Sequence, residues 1–327
     1  MAQVLTVKDL SVRFALHESE VTAVDGLNFA LEAGETLAVV GESGSGKSQA
    51  FMALMGLLAK NGSVSGQALL GDVDLLNLSK TALNEYRGRD VAMIFQDPMT
   101  SLNPALRIKQ QLAEVLVRHK GQDAKEAERN SIAMLERVGI PEPAKRANAY
   151  PHQMSGGMRQ RVMIAMALLC QPKILIADEP TTALDVTVQA QMLDLFKSLT
   201  DDFGTALVLI THDLGVVAGV ADRMMVMYGG RSVEKGTVDD LFYDPRHPYT
   251  LGLLHSTPHI AKRAARLDPI QGLPPSLEHL PKGCSFNPRC AFAFDRCIAE
   301  RPPLTEAGPG RQKACFYEGP MAYGKVA

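Results

Sequence analysis

The chain has 327 residues, of which 46% are hydrophobic and 21% are charged, and its formal net charge is −2. The length favours about two domains, and without an excess of basic residues nothing in the composition suggests electrostatic nucleic-acid binding. The longest apolar runs fall short of the roughly 18 residues that a membrane-spanning helix needs, and the N-terminus lacks the basic and apolar segments of a signal peptide, so we expect a cytoplasmic protein.

The first predicted strands lie within 4–14 and 27–31. From there strands and helices alternate along the chain, which predicts a mainly parallel sheet with helices on both faces. We therefore expect an α/β fold.

The segment TLAVVGESGSGKS (Thr36–Ser48) predicts a buried strand, a glycine-rich turn and the start of a helix. It matches the G-x-x-x-x-G-K-[ST] pattern of a phosphate-binding loop. In that pattern the Lys47 ammonium reaches the β- and γ-phosphates of a nucleotide, and the Ser48 hydroxyl binds Mg²⁺. The alternative is an ordinary glycine turn, which the flanking strand and helix disfavour. The segment therefore predicts binding of a nucleoside triphosphate.

Three glycines of this loop, Gly41, Gly44 and Gly46, allow positive φ and a close approach of the backbone to phosphate. Successive N–H groups then point at the anion from the N-terminus of the following helix, where the helix dipole adds to the attraction.

The region from 103 to about 150 has a helical pattern, as in IKQQLAEVLVRHK and AKEAERNSIAMLERVGI. It lies between Gln96 and Ser155, which predicts a helical subdomain inserted into the α/β core at about 97–154.

The segment PHQMSGGMRQR (Pro151–Arg161) offers a second anion-binding helix end. Ser155 is a good N-cap, and Gly156 and Gly157 follow it at the predicted helix start. One nucleotide cannot easily contact both the glycine loop and the Ser-Gly-Gly segment of the same compact chain. The economical arrangement is a head-to-tail dimer in which each nucleotide lies between the loop of one chain and the Ser-Gly-Gly of the other.

A further buried strand, KILIAD, ends in two acids, Asp178 and Glu179. An acid at the end of a parallel strand beside a phosphate loop suits Mg²⁺ binding. Glu179, the next residue, faces the other side of the strand and can polarise a water molecule for attack on the γ-phosphate. Without the phosphate loop, two solvated acids would be the better interpretation.

The apolar strand ALVLIT (Ala206–Thr211) precedes His212. A histidine in that place is more often structural when nothing else points to a site. The following segment RMMVMYGGRSVEKG predicts a hairpin about Gly229 and Gly230.

In these motifs the sequence resembles the ABC transporter ATPase family across about Val4–Tyr249, which implies a P-loop (RecA-like) core. The resemblance assigns Mg²⁺ binding to Asp178 together with Ser48 and Gln96. It implies that Glu179 is the catalytic base and that His212 is the switch histidine. It also implies that Gln96 senses the γ-phosphate and links the chain to a membrane partner. It implies a nucleotide-binding set of Phe14, Gly41, Ser43, Gly44, Ser45, Gly46, Lys47, Ser48, Gln49, Ser155, Gly156, Gly157 and Asp185.

Three residues depart from the family pattern. Met154 and Met158 replace the Leu and Gln of the usual LSGGQ signature, and Phe14 stands where a tyrosine commonly stacks on adenine. Ser155 and the two glycine amides are retained, so phosphate contact across a dimer is still expected. Phe14 can stack but has no hydroxyl, and an aromatic residue in a strand is as often part of the core.

The chain becomes proline-rich and loses its helical period after Gly236. This change of composition predicts a separate small domain. We place the nucleotide-binding domain at 1–250 and a C-terminal extension at 251–327.

Four of the five cysteines lie in the extension, at Cys284, Cys290, Cys297 and Cys315, separated by five, six and seventeen residues. Disulfides suit an oxidising compartment, which the expected location does not provide. Structural zinc prefers closer pairs, and an iron–sulfur cluster reached from separate loops fits the spacing. Free thiols are the fourth possibility. Aromatic side chains that could shield a cluster are Phe286, Phe292 and Phe294.

The segments RHPYT and GCSFNPRC…DRC…C resemble the C-terminal extension of ATPase subunits of oligopeptide and dipeptide ABC importers, a family that also includes nickel importers. That resemblance implies a [4Fe–4S] cluster held by the four cysteines of the extension. Cys170, on the helix after the signature, is expected to be a core thiol.

We therefore predict a peripheral ATPase subunit on the cytoplasmic side of the inner membrane, which uses ATP and Mg²⁺ to energise peptide import. The expected partners are a second, related ABC ATPase, two transmembrane permeases and an extracytoplasmic peptide-binding protein, without nucleic acid. Two alternatives stay open at this point: a non-transport ABC ATPase of repair or translation, and an ATPase that drives a redox-sensing iron–sulfur module. The cargo, whether dipeptide, longer peptide or nickel, is chosen by other subunits.

Overall fold

The computed structural model describes residues 2–96, 101–180, 186–256 and 270–321. Its strands are β1 Gln3–Ala15, β2 Glu20–Glu32, β3 Thr36–Val40, β4 Gly62–Leu70, β5 Val73–Asp74, β6 Val91–Ile94, β7 Ile174–Asp178, β8 Ala206–Thr211, β9 Arg223–Tyr228, β10 Arg231–Thr237, β11 Thr305–Gly308 and β12 Arg311–Lys313. Its α-helices are α1 Lys47–Leu54, α2 Lys80–Asn84, α3 Ile108–Lys120, α4 Ala124–Arg137, α5 Pro143–Arg146, α6 Gly156–Leu168, α7 Val186–Phe203, α8 Leu214–Val220, α9 Val238–Tyr243, α10 Pro248–His255 and α11 Asp295–Ala299.

The described residues form two compact units. The first contains those within 1–4, 32–35 and 78–209, and the second contains those within 5–31, 36–77 and 210–327.

The second unit contains an antiparallel sheet and a mixed sheet. The antiparallel sheet has the order β2-β1-β4-β5, and the mixed sheet runs β11-β12-β10-β9-β3. Strand β3 pairs in parallel with β9, and all five of its residues are buried. The predicted hairpin about Gly229 and Gly230 is confirmed, since β9 and β10 pair antiparallel on either side of these two residues, which both have positive φ.

The first unit combines parallel strands with the predicted helical segment. Strands β6 and β7 pair in parallel, with Ile94 opposite Ala177. Helix α3 has the bounds of the quoted segment IKQQLAEVLVRHK, and α4 begins where AKEAERNSIAMLERVGI begins. The start of α4 is stabilised by Asp123, whose carboxylate accepts hydrogen bonds from the N–H groups of Lys125 and Glu126.

The C-terminal extension packs within the second unit. Strand β12 pairs antiparallel with β10, with Lys313 opposite Glu234. Helix α10 runs across the domain boundary that we predicted at 250. The extension therefore continues the mixed sheet of the second unit, although its composition changes as that of a separate domain would.

Phe286 of the extension lies in the hydrophobic core of the second unit. It is 1% exposed and packs with Tyr228 and Tyr249, with ring centroids 5.2 Å and 5.3 Å away. Both tyrosines precede the extension in sequence, so burial of this phenyl ring attaches the extension to the core.

No helix among the described residues is long and apolar enough to cross a membrane.

We expect Phe286→Ala to lower the free energy of unfolding by about 3–5 kcal/mol, because it leaves a cavity beside two buried tyrosines. Phe294→Ala is the matched control, since that phenylalanine of the extension is 42% exposed. Urea unfolding of the full chain measures both. Equal effects of the two substitutions would contradict the packing of the extension into this core.

Candidate nucleotide site and cysteine cavity

The glycine loop between β3 and α1 has the backbone that the sequence predicts. Gly41, Gly44 and Gly46 all have positive φ, at 152°, 79° and 92°. A Cβ atom at Gly46 would collide with the carbonyl oxygen of Ala23, and one at Gly41 with that of Met227. At these two positions glycine is required both by the left-handed backbone and by the lack of space.

The Lys47 ammonium lies over the loop. Its Nζ donates to the carbonyl oxygens of Gly41 at 2.7 Å and Glu42 at 3.0 Å, and the residue is 6% exposed. A buried cation held over a ring of backbone groups creates a concave positive site at the N-terminus of α1.

The remaining loop residues differ in exposure. Ser43 and Gly44 are exposed, Ser45 is buried, and Ser48 and Gln49 in the first turn of α1 are half-buried. The apex of the loop is therefore accessible to a ligand while its base is packed.

Three predicted residues of the first unit lie at one edge of its parallel strands. Asp178 is the last residue of β7 and is 4% exposed. Glu179 follows with a positive φ of 46°, so the chain turns directly after the strand. The Gln96 side chain comes from the end of neighbouring β6 and donates its Nε2 proton to Glu179 Oε2 at 3.0 Å. The structure thus brings together a predicted base and a predicted γ-phosphate sensor.

The signature segment begins helix α6 as predicted. The Ser155 hydroxyl accepts a hydrogen bond from the N–H of Met158 at 3.3 Å, which confirms it as the N-cap. Ser155 and Gly156 are exposed and Gly157 is half-buried. Met154 stands where the family has leucine and is 3% exposed. The position therefore still places a buried apolar side chain in the core.

His212 and Phe14 lie in the second unit. His212 is exposed directly after β8, and the next residue, Asp213, caps α8 by accepting from the N–H of Gly215 at 2.8 Å. Phe14 is half-buried on β1, and its ring lies so close to Gly62 that a Cβ there would be 2.9 Å from Phe14 Cε1. The predicted residue Asp185 lies outside the described residues.

The four cysteines of the extension line one cavity. Cys284, Cys290, Cys297 and Cys315 surround it together with aromatic side chains that include Phe286, Phe292, Phe316 and Tyr317. The expectation that Phe294 shields this cavity is wrong, because its side chain is 42% exposed and does not line the cavity.

All five cysteines, each within the described part of the chain, are free thiols. Burial raises the pKa of Cys290 to about 12 and that of Cys315 to about 11. Among the described residues no group of three or more His, Cys, Asp or Glu side chains is arranged to hold a metal ion. Cys170 is fully buried at the end of α6, away from the extension in sequence, as expected for a core thiol.

Sequence reasoning missed one ion pair in the second unit. The Arg289 guanidinium of the extension binds the carboxylate of Glu42, the second residue of the glycine loop, through two hydrogen bonds. Glu42 occupies a variable position of the loop pattern, and the only signal for its partner was the arginine directly before Cys290.

Two family models match the chain. One, described as "ABC transporter", matches residues 24–182, and the other, "Oligopeptide/dipeptide transporter, C-terminal region", matches residues 233–297. The first covers the glycine loop and the acids after β7, and the second includes three of the four cysteines of the extension.

Relatives are similar over nearly the full length. The chain is 56% identical over 312 residues to the oligopeptide transport ATP-binding protein OppD of Salmonella typhimurium, covering 95% of this chain and 93% of that one. It is 53% identical over 324 residues to the dipeptide transport ATP-binding protein DppD of Bacillus subtilis, covering 98% and 97%. The dimeric ATP-binding cassette MJ0796, solved with ADP and Pi, has a TM-score of 0.64 at 26% identity over 72% of this chain and 98% of that one.

We expect Gly46→Ala to lower the free energy of unfolding by about 2 kcal/mol or more, because the new methyl group meets the Ala23 carbonyl in a left-handed backbone. Gly44→Ala has a similar φ but open space around the added Cβ, so we expect a loss of only about 1 kcal/mol. Chemical denaturation of the two variants separates the collision from the backbone strain. Equal losses would show that the Ala23 contact does not constrain the loop.

Proposed function

Because the chain belongs to the family of ATP-binding subunits of oligopeptide and dipeptide ABC transporters, we propose that it hydrolyses ATP to energise peptide import through a membrane transporter. The observation that carries this is the 56% identity to an oligopeptide transport ATP-binding protein over 95% of the chain. A phosphate loop with three left-handed glycines and a buried lysine agrees with it. The two alternative functions were a repair or translation ATPase and an ATPase that drives a redox-sensing iron–sulfur module. Neither has support among these relatives.

We assign nucleotide binding to the loop, with the Lys47 ammonium on the β- and γ-phosphates and Phe14 against the adenine. The exposed apex of the loop and the positive N-terminus of α1 support this assignment. The full set is Phe14, Gly41, Ser43, Gly44, Ser45, Gly46, Lys47, Ser48 and Gln49, joined by Ser155, Gly156, Gly157 and Asp185.

We assign the chemistry to Glu179, Gln96 and His212. Glu179 acts as general base toward the attacking water, and the Gln96 amide orients its carboxylate through the 3.0 Å hydrogen bond. His212 acts as the switch residue near the γ-phosphate.

Mg²⁺ binding is assigned to Asp178, Ser48 and Gln96. Their carboxylate, hydroxyl and amide oxygens are the hard donors that this cation prefers, and the buried carboxylate of Asp178 at a strand end suits it. The cation neutralises charge on the phosphate oxygens when bound.

A second ATPase subunit completes each nucleotide site in our proposal. The exposed Ser155 and Gly156 at the start of α6 form an anion-binding end that the same chain's nucleotide does not need. The similar cassette MJ0796 was solved as a dimer with ADP and Pi. We propose a head-to-tail dimer with a related but different ATPase, closed by ATP and opened by hydrolysis.

The transporter would also contain two transmembrane permeases and would receive peptide from an extracytoplasmic binding protein. The chain then lies peripherally on the cytoplasmic side of the inner membrane. Helices α3 and α4 of the first unit are the surface that we assign to the permeases, in keeping with the family resemblance of the inserted helical subdomain.

We further propose that Cys284, Cys290, Cys297 and Cys315 hold a [4Fe–4S] cluster. Four thiols around one cavity with an aromatic and apolar lining are a suitable donor set for it. The five, six and seventeen residues that separate these cysteines fit a cluster reached from separate loops better than the closer cysteine pairs of structural zinc.

We expect Glu179→Gln to lower ATP turnover of the assembled transporter by about 100-fold or more, since the amide cannot accept the proton of the attacking water. ATP affinity of the full chain should stay within about twofold. Glu142→Gln is the control, because Glu142 also has a positive φ but its side chain is 59% exposed, beside Lys145. Unchanged turnover in Glu179→Gln would refute the assignment of the base.

Anaerobically purified chain should be brown and contain about four irons. We expect Cys290→Ser to remove the iron and the visible absorbance, and Cys170→Ser to retain both. Metal analysis and absorption spectra of the three proteins measure this. Zinc without iron in the wild-type chain would overturn the cluster assignment and leave the ATPase assignment intact.

A further inference from the structure

The C-terminal extension makes a direct ion pair with the phosphate loop, in which the arginine is buried and the glutamate is half-buried. Arg289 Nη1 donates to Glu42 Oε2 at 2.6 Å, and Nη2 donates to Glu42 Oε1 at 2.9 Å. The arginine side chain is 5% exposed and the glutamate side chain is 28% exposed. Two parallel bonds between a guanidinium and a carboxylate fix orientation as well as distance.

The remaining donors of Arg289 hold the guanidinium in place. Its Nε donates to the carbonyl oxygen of Gln271 at 3.0 Å, and Nη1 also donates to the Tyr228 hydroxyl at 3.2 Å. The residue ends the 3₁₀ turn Asn287–Arg289, directly before Cys290. The arginine is therefore positioned by one contact within the extension and one with the core.

Glu42 is held from the backbone side as well. Its N–H donates to the Tyr249 hydroxyl at 2.8 Å, and Tyr249 is fully buried with its ring centroid 4.5 Å from that of Tyr228. The Glu42 carbonyl accepts from Lys47 at 3.0 Å. One loop residue thus contacts the extension through its carboxylate, the core through its amide, and the phosphate-binding lysine through its carbonyl.

The carboxylate of Glu42 introduces a negative charge into a loop whose proposed ligand is a polyanion. A like charge near the phosphates weakens their binding. Arg289 offsets this charge through its two hydrogen bonds.

We propose that Arg289 is a positioning residue for ATP binding: it neutralises and orients Glu42 so that the phosphate loop accepts the triphosphate. This rests on the proposed nucleotide-binding function of the loop. It makes the extension part of the nucleotide site in function, acting through Glu42 without touching the nucleotide.

The test compares Arg289→Gln, Glu42→Gln and the double variant in the full chain. We expect Arg289→Gln to raise the Kd for ATP about tenfold, because it leaves an unpaired carboxylate beside the anion site. The double variant should bind within about threefold of the wild type, since removing the carboxylate removes the repulsion. In the assembled transporter KM should rise about tenfold, with kcat within about twofold.

Arg301→Gln is the matched control. Arg301 also connects the extension to the core, through Asp25 at 3.0 Å, but that carboxylate belongs to β2 and keeps a second partner in Arg231. We expect the Kd for ATP to change by less than about twofold. Arg289→Lys keeps the positive charge but cannot form two parallel hydrogen bonds to the carboxylate. We expect its Kd for ATP to lie between those of the wild type and Arg289→Gln.

Each outcome decides the proposal. A wild-type Kd in Arg289→Gln, or a double variant as weak as Arg289→Gln, would overturn the electrostatic role of Arg289. If Arg289→Gln does not fold, Glu42→Asp decides: it keeps the carboxylate in the loop but shortens its reach to Arg289, so the Kd for ATP should rise, and a wild-type Kd overturns the proposal. Failure of the wild-type chain to bind ATP would contradict the proposed function instead.

Discussion

The carbonyl oxygens of Ala23 and Met227 lie where Cβ atoms of residues 46 and 41 would be, and this backbone packing constrains the phosphate loop. The neighbouring strands leave no room for a side chain at these two positions, so only glycine fits there. Lys47 then forms hydrogen bonds to the carbonyl oxygens of the loop. These contacts place a buried cation at the start of α1, where we propose that ATP binds.

The extension belongs physically to this half of the molecule. Phe286 packs against two tyrosines of the core, and Arg289, three residues later, pairs with the loop carboxylate. The turn that carries both residues lies between Cys284 and Cys290. Between these two cysteines the extension is therefore held to the second unit by apolar packing and by an ion pair.

Local motifs were predictable because each is set by residues adjacent in the chain. The positive φ of Gly46, the N-cap of Ser155 and the turn at Gly229 follow from the conformational freedom of glycine and the hydrogen-bonding capacity of a hydroxyl. The contact between Gln96 and Glu179 could also be predicted from the sequence, because both residues follow parallel strands that end at the same edge of the sheet. The change in composition predicted that the extension folds as a separate domain. Composition does not show which strands pair, so it could not predict that the extension joins the sheet.

The sequence by itself determined the chemistry of the chain: a glycine loop for phosphate, acids at a strand end, a capped glycine helix start and four clustered thiols. The tertiary structure alone decided that β12 pairs with β10 and that Arg289 pairs with Glu42. These contacts join residues about 80 and nearly 250 positions apart, and no local pattern selects one partner over another at such a separation. For the second contact the reason is core packing: the buried Phe286 ring, three residues before Arg289, contacts Tyr249, whose hydroxyl accepts from the N–H of Glu42.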